Sequence, residues 1–129
     1  MTLTQMLEQK TEDNKIAETV ISDYPSVKLR GFVEGFYGYP WSFEDRLSLM
    51  SESSDFKMNT YIYAPKDDPY HKDQWRELYP DDKAEELRQL AAEGKKDNMS
   101  FCWSVHPGNG FNYSTDDDYN ALILSLIHI

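Results

Sequence analysis

The sequence predicts an α/β fold of parallel strands alternating with helices, and three observations predict it. Extended apolar segments recur at residues 29–36, 57–65 and 100–105; each is followed by a turn rich in glycine, proline, polar or aromatic residues; and each turn leads into a stretch of helical spacing. Strands that alternate with helices in this way pair in parallel, and a parallel sheet needs cover on both faces. Three such units suit half of a doubly wound sheet or the first three β/α units of a truncated TIM barrel, whose full length is about 250 residues. Polar and aromatic residues crowd behind all three strands, which favours the barrel, where ligand-binding loops crown the carboxyl ends of the strands.

Residues 1–22 precede this pattern as a lead-in helix or the end of a preceding domain. Thr11 is placed to cap a helix over 11–22, with Ile16, Ala17, Val20 and Ile21 on one stripe. Asp23-Tyr24-Pro25-Ser26 breaks it, because the residue before a proline avoids helical backbone and proline has no N–H to donate. Residues 23–121 then form the N-terminal part of the barrel. The first strand ends in Gly38-Tyr39-Pro40-Trp41; Ser42 with Asp45 makes a capping-box start, and Phe43, Leu47 and Met50 recur at helical spacing. Tyr61, Ile62, Tyr63 and Ala64 run almost continuously apolar, as in a strand buried on both faces. Asp81 or Asp82 caps the next helix, which turns Ala84, Leu87, Leu90 and Ala91 inward and ends within 94–98. The third strand gives way to His106-Pro107-Gly108-Asn109-Gly110, and Ser114 or Thr115 caps a last helix with Asp116, Asp117 and Asp118 in its first turn, where the backbone dipole favours acids. Residues 122–129 lack the charges an outer barrel helix needs on its solvent face and read as an apolar tail left by truncation.

With 13 basic and 23 acidic residues the chain carries a net charge of −10, a field that repels phosphate backbones and argues against nucleic acid as a partner. No apolar run approaches the ~20 residues of a membrane helix, so no membrane partner is expected. Glu8, Lys10, Glu12 and Asp13 interrupt residues 1–20, leaving no apolar signal-peptide core; a leader encoded upstream would still allow a secreted or cell-surface protein. Cys102 sits in an apolar run as an inert thiol, and His71 and His106 are turn or rim residues. No spacing of His, Cys or carboxylates points to a metal, and no cofactor is called for. Asn98-Met99-Ser100 and Asn112-Tyr113-Ser114 match the glycosylation pattern, which short stretches meet by chance.

Chemistry concentrates in Gly31-Phe32-Val33-Glu34-Gly35-Phe36-Tyr37-Gly38-Tyr39-Pro40-Trp41. A glycine that admits close approach, flat aromatic rings and a rigid Pro-Trp turn at a strand end describe a sugar site. Taken with Asn59-Thr60-Tyr61-Ile62-Tyr63-Ala64-Pro65-Lys66-Asp67-Asp68-Pro69-Tyr70-His71, Trp75-Arg76-Glu77 and Pro107-Gly108, this segment resembles the start of the catalytic barrel of glycoside hydrolase family 84. These are β-N-acetylglucosaminidases, among them the enzymes that remove O-linked N-acetylglucosamine from serine and threonine and the bacterial hyaluronidase-like relatives. The resemblance implies that Gly35 meets the sugar hydroxyls with its backbone, that Lys66 donates hydrogen bonds to them, and that Tyr37 belongs to the same wall.

The resemblance also implies substrate-assisted, retaining hydrolysis, in which the 2-acetamido oxygen attacks its own anomeric carbon and two neighbouring aspartates after the fourth strand orient it and transfer protons. No residue up to Ile129 matches that pair, so the chain holds no catalytic residue and is expected to be inactive alone. Asp67-Asp68 belongs to the second loop motif instead. Glu34 reads as structural, an inward-pointing carboxylate paired with a lysine or arginine in the barrel core. The implied partners are N-acetylglucosamine-containing glycans or glycoproteins. The alternative is a non-catalytic carbohydrate-binding module built on Tyr37, Trp41 and Lys66.

Overall fold

Three short strands form one parallel sheet in a computed structural model that describes residues 2–8 and 15–128. They are β1 (Gly31–Glu34), β2 (Thr60–Tyr63) and β3 (Ser100–Trp103), side by side in that order. Helix α1 (Thr2–Glu8) precedes the sheet; α2 (Phe43–Asp55) and α3 (Asp81–Lys96) are the crossovers that parallel pairing requires; α4 (Asp116–His128) follows β3. The register aligns Phe32, Tyr61 and Phe101 in one row and Glu34, Tyr63 and Trp103 in the next. Side chains alternate between faces, so these six share the face that packs on Met50 of α2 and on Ala84, Leu87 and Leu90 of α3. Burying each of those leucines contributes about 1.5–3 kcal/mol.

Local sequence explains where the helices begin and end. The Ser42 hydroxyl accepts from the Asp45 N–H at 3.1 Å while the Asp45 carboxylate accepts from the Ser42 N–H, the capping box expected for α2. Both crossover helices finish in a Schellman turn: Met58 N–H donates to the Ser53 carbonyl and Lys57 N–H to Ser54, as Met99 N–H does to Gly94 and Asn98 N–H to Lys95. Lys57 (φ 61°) and Asn98 (φ 56°) take the left-handed residue of each motif. This is why the second strand starts at Thr60 rather than at residue 57.

Other expectations are corrected. No helix forms over residues 15–22, and Thr11 lies outside the described residues; Val20 is 98% exposed and Ile16 and Ile21 are exposed, so the apolar stripe has nothing to pack on and a short helix is not self-sustaining. The helix in this region is α1, tied to the end of α2 by Gln5 donating to the Asp55 carbonyl. The first strand is confined to four residues because its last ladder bond is Ala64 N–H to the Glu34 carbonyl at 3.0 Å, and the third stops where Ser104 N–H reaches Tyr63. Pro80, not Asp81 or Asp82, caps α3; both acids lie inside its first turn. The second strand is covered on one face only: Ile62 is half-buried, beside Val33 and Cys102 on a face that no helix of the described residues covers. Residues 121–128 continue α4, whose Ser125 is buried and donates to the Trp75 carbonyl while Leu124, Leu126 and Ile127 are exposed.

Candidate functional site

A parallel sheet sends the carboxyl ends of its strands to one side, so the loops after β1, β2 and β3 rise together from that edge. Gly35 follows β1, half-buried, next to Ala64 at the end of β2. A methyl group placed on it would lie 3.4 Å from Val33 Cγ1 and 4.0 Å from the Ala64 carbonyl, ordinary van der Waals distances. Gly31 and Gly94 differ: a Cβ would sit 1.6 Å from the Thr60 carbonyl in the first case and 2.8 Å from the Met99 carbonyl in the second. Packing therefore requires glycine at 31 and 94 but not at 35.

Lys66 stands exposed two residues beyond Ala64, and among the described residues no hydrogen bond or ion pair engages its ammonium. Tyr37 is 85% exposed, in a turn made by Gly38 at φ 119°. Trp41 is half-buried and packs with its ring centroid 5.0 Å from that of Phe36 and 6.2 Å from that of Phe32. The three residues predicted to hold a sugar thus occupy the rims of two neighbouring strands, Gly35 and Tyr37 on one loop and Lys66 on the next.

The carboxylates nearby are structural. Glu34, fully buried, is gripped at both oxygens by the Arg46 guanidinium, at 2.7 and 2.9 Å, and accepts the Tyr61 hydroxyl. It does not point into a barrel core as expected, because the register turns it toward the helices. Burial alone would lower the Arg46 pKa, but the hydrogen bonds and charge of Glu34 hold it above its ordinary value. Burial, reinforced by Glu34, pushes the Tyr61 hydroxyl up. Asp68 accepts from the hydroxyls of Tyr63 at 2.8 Å and Tyr79 at 2.9 Å and from the Tyr70 N–H at 2.9 Å. Burial with the Asp68 charge raises Tyr63, and burial raises Tyr79, which also accepts from the Trp103 indole at 3.1 Å.

The later loops are pinned as firmly. His71, only 2% exposed, meets the Ser104 carbonyl through Nδ1 at 2.8 Å, and its own carbonyl accepts from His106 N–H at 2.6 Å. Asp118, expected only as a helix-start acid, is bound by Arg76 at 2.6 and 2.7 Å and by the Asn112 N–H at 2.7 Å, bonds that hold its carboxyl below the usual range. Arg76 also lies 4.3 Å over Trp75 and donates to the Gly110 carbonyl. Among the described residues no three His, Cys, Asp or Glu side chains converge as metal ligands, and no helix is long and apolar enough to cross a membrane.

One feature escaped the sequence reading. A cavity of about 500 Å³ lies between the β1–α2 and β2–α3 loops, lined among others by Trp41, Phe43, Tyr70, Asp67 and Asp82, and by none of Gly35, Tyr37 or Lys66. The prolines at 40, 65, 69 and 80 that shape it are spread over forty residues, so no local motif announces it.

A three-stranded parallel sheet whose loops rise from one edge, with a glycine at 35 that packing does not demand, defines an α/β protein of the class that binds its ligands over the carboxyl ends of the strands. Residues 30–128 match the family model of beta-N-acetylglucosaminidase. The Protein O-GlcNAcase of Rattus norvegicus and that of Mus musculus are each 38% identical over 94 residues, 73% of this chain and 10% of theirs. An aspartate-to-asparagine mutant of the Thermobaculum terrenum O-GlcNAc hydrolase superposes with a TM-score of 0.76 at 33% identity, over 78% of this chain and 22% of that one. CpGH84D superposes with a TM-score of 0.77 at 41% identity, over 84% and 19%. The chain belongs to the β-N-acetylglucosaminidases of glycoside hydrolase family 84, whose solved members are TIM-barrel enzymes. It spans about a tenth of the curated relatives it matches and about a fifth of the structural ones.

Proposed function

We propose that the chain supplies the first three β/α units of a β-N-acetylglucosaminidase barrel, and with them part of the wall that receives the sugar. Gly35 offers its backbone to the ring hydroxyls, Lys66 donates to them, and Tyr37 closes the same side. The observation that carries this reading is the freedom at residue 35: Gly31 and Gly94 are explained by backbone clashes, whereas Gly35 has room for a methyl group and is accounted for by a ligand that needs that room. The unpaired Lys66 ammonium and the match over residues 30–128 support it further.

On this reading the parent enzyme acts on N-acetylglucosamine-bearing glycans or glycoproteins with the substrate's acetamido group as nucleophile, and no residue of the 129 matches the two aspartates of which one orients that group and the other transfers the proton. Sugar-binding groups without those aspartates do not lower the barrier to cleavage. The purified chain is therefore expected to leave a chromogenic β-N-acetylglucosaminide intact and to show no saturable heat on titration with N-acetylglucosamine. Turnover that co-purifies with the chain would overturn the proposal, and saturable binding without turnover would favour the carbohydrate-binding module.

A further inference from the structure

The cavity between the two loops is the feature that the sugar reading leaves unused. Its walls combine Trp41, Phe43, Tyr70 and four prolines with a ring of charged residues, and its volume of about 500 Å³ falls within the range of small-molecule and side-chain pockets. The charges sort themselves. Arg46 is spent on Glu34 in a two-point contact, Lys83 on Glu86 at 2.9 Å, and Asp68 accepts three donors. That leaves Asp67 and Asp82: neither meets a cation among the described residues, and Asp82 accepts only the Lys83 N–H at 2.9 Å in the first turn of α3. The positive ends of α2 and α3 point here too, but each is already answered by acids of its own first turn, Glu44 and Asp45 in one and Asp81 and Asp82 in the other.

We propose that this cleft is a recognition site for an arginine side chain displayed by a partner polypeptide. A guanidinium stacks on aromatic faces and forks onto carboxylates with the same planar group, and Trp41, Tyr70, Asp67 and Asp82, which line the one cavity, offer both kinds of partner. A neutral sugar would stack equally well but offers no counter-charge to the two exposed carboxylates, so the charge balance favours the cation. The chain's net charge of −10 favours basic over acidic segments as partners. The site is separate from Gly35, Tyr37 and Lys66 and stands or falls independently of them.

Calorimetric titration of the 129-residue chain with the peptide acetyl-Gly-Arg-Gly-amide, alongside its citrulline counterpart, tests the inference. The arginine peptide is expected to bind saturably and shift the Trp41 indole N–H resonance, with at least tenfold weaker binding by the citrulline peptide and by an Asp67→Asn, Asp82→Asn double variant. Both aspartates are exposed, so that variant is expected to keep the circular dichroism spectrum of the parent. Lys66→Ala is expected to leave the affinity within twofold. Equal binding of citrulline and arginine, no saturation at 10 mM, an unaltered affinity in the double variant, or N-acetylglucosamine moving the Trp41 resonance in place of the peptide would each overturn it.

Discussion

At the scale of single residues the molecule rests on a few buried polar groups that pair with one another, Glu34 with Arg46 and Tyr61, and Asp68 with Tyr63 and Tyr79. Glu34→Ala would leave the Arg46 guanidinium buried against Tyr63, 5.1 Å away, without its carboxylate; breaking a buried pair in this way costs about 3–5 kcal/mol. Urea unfolding is expected to register that loss, and Glu34→Met with Arg46→Leu to restore most of it. Asp118 has a clear pH signature. Its carboxyl is held below the usual carboxylate range by Arg76 and the Asn112 N–H, so its contribution is complete above the ordinary aspartate pKa and is lost as the pH falls through the lower folded-state one. Thermal melts between pH 6 and pH 2 should therefore show the parent more stable than Asp118→Asn at the top of the range and the gap closing at the bottom. Tyr61, Tyr63 and Tyr79 act in the opposite direction. Their hydroxyls are pushed up chiefly by burial, so stability is retained below pH 10 and declines above it, as the unfolded chain ionises and the folded one does not. Ultraviolet titration is expected to show these three tyrosines ionising only together with unfolding.

At the scale of elements the determinants are the two Schellman turns and the close approaches they permit. Gly94→Ala drives a methyl group to 2.7 Å from Met50 Cε and 2.8 Å from the Met99 carbonyl, and since the backbone cannot yield, a loss of about 1–3 kcal/mol is expected in chemical denaturation. Asn98→Gly should be neutral or stabilising, and Asn98→Val destabilising, because only the second opposes φ 56°. Much of this level was legible in advance. The capping box at Ser42, the inward stripe of α3 and the order of the units depend on residues close in sequence, where spacing carries the information. What was misread depended on distant partners: the stripe at Ile16, Ala17, Val20 and Ile21 has the right spacing for a helix but no surface to face, and Asp118 looks like a helix-start acid until Arg76, 42 residues away, is brought beside it.

At the scale of the whole molecule the open face of the sheet is the most consequential feature. Parallel sheets are stable when both faces are covered, yet Val33 is 55% exposed on the side away from α2 and α3. Val33→Asp is accordingly expected to change the stability of the isolated chain by less than about 0.5 kcal/mol, as for other exposed sites, and to abolish folding of a protein in which further strands close a barrel over that face. The candidate sugar rim was readable because Gly35, Tyr37 and Lys66 sit in compact motifs at strand ends. The arginine cleft was not, since its walls come from residues between 40 and 86 that only the crossover helices bring together.

A chimera probes the wall formed by β1 and β2 in a working barrel. Residues 30–121 of this chain would replace the matching segment of the Thermobaculum terrenum hydrolase, and hydrolysis of a chromogenic β-N-acetylglucosaminide would be compared between that chimera and its Lys66→Ala variant. The chimera is expected to be active and the variant to have a kcat/KM at least tenfold lower, the lost hydrogen bonds to a charged donor amounting to about 1.5–3 kcal/mol. Equal kcat/KM in the two proteins, with both folded, would contradict the assignment of Lys66 to that wall.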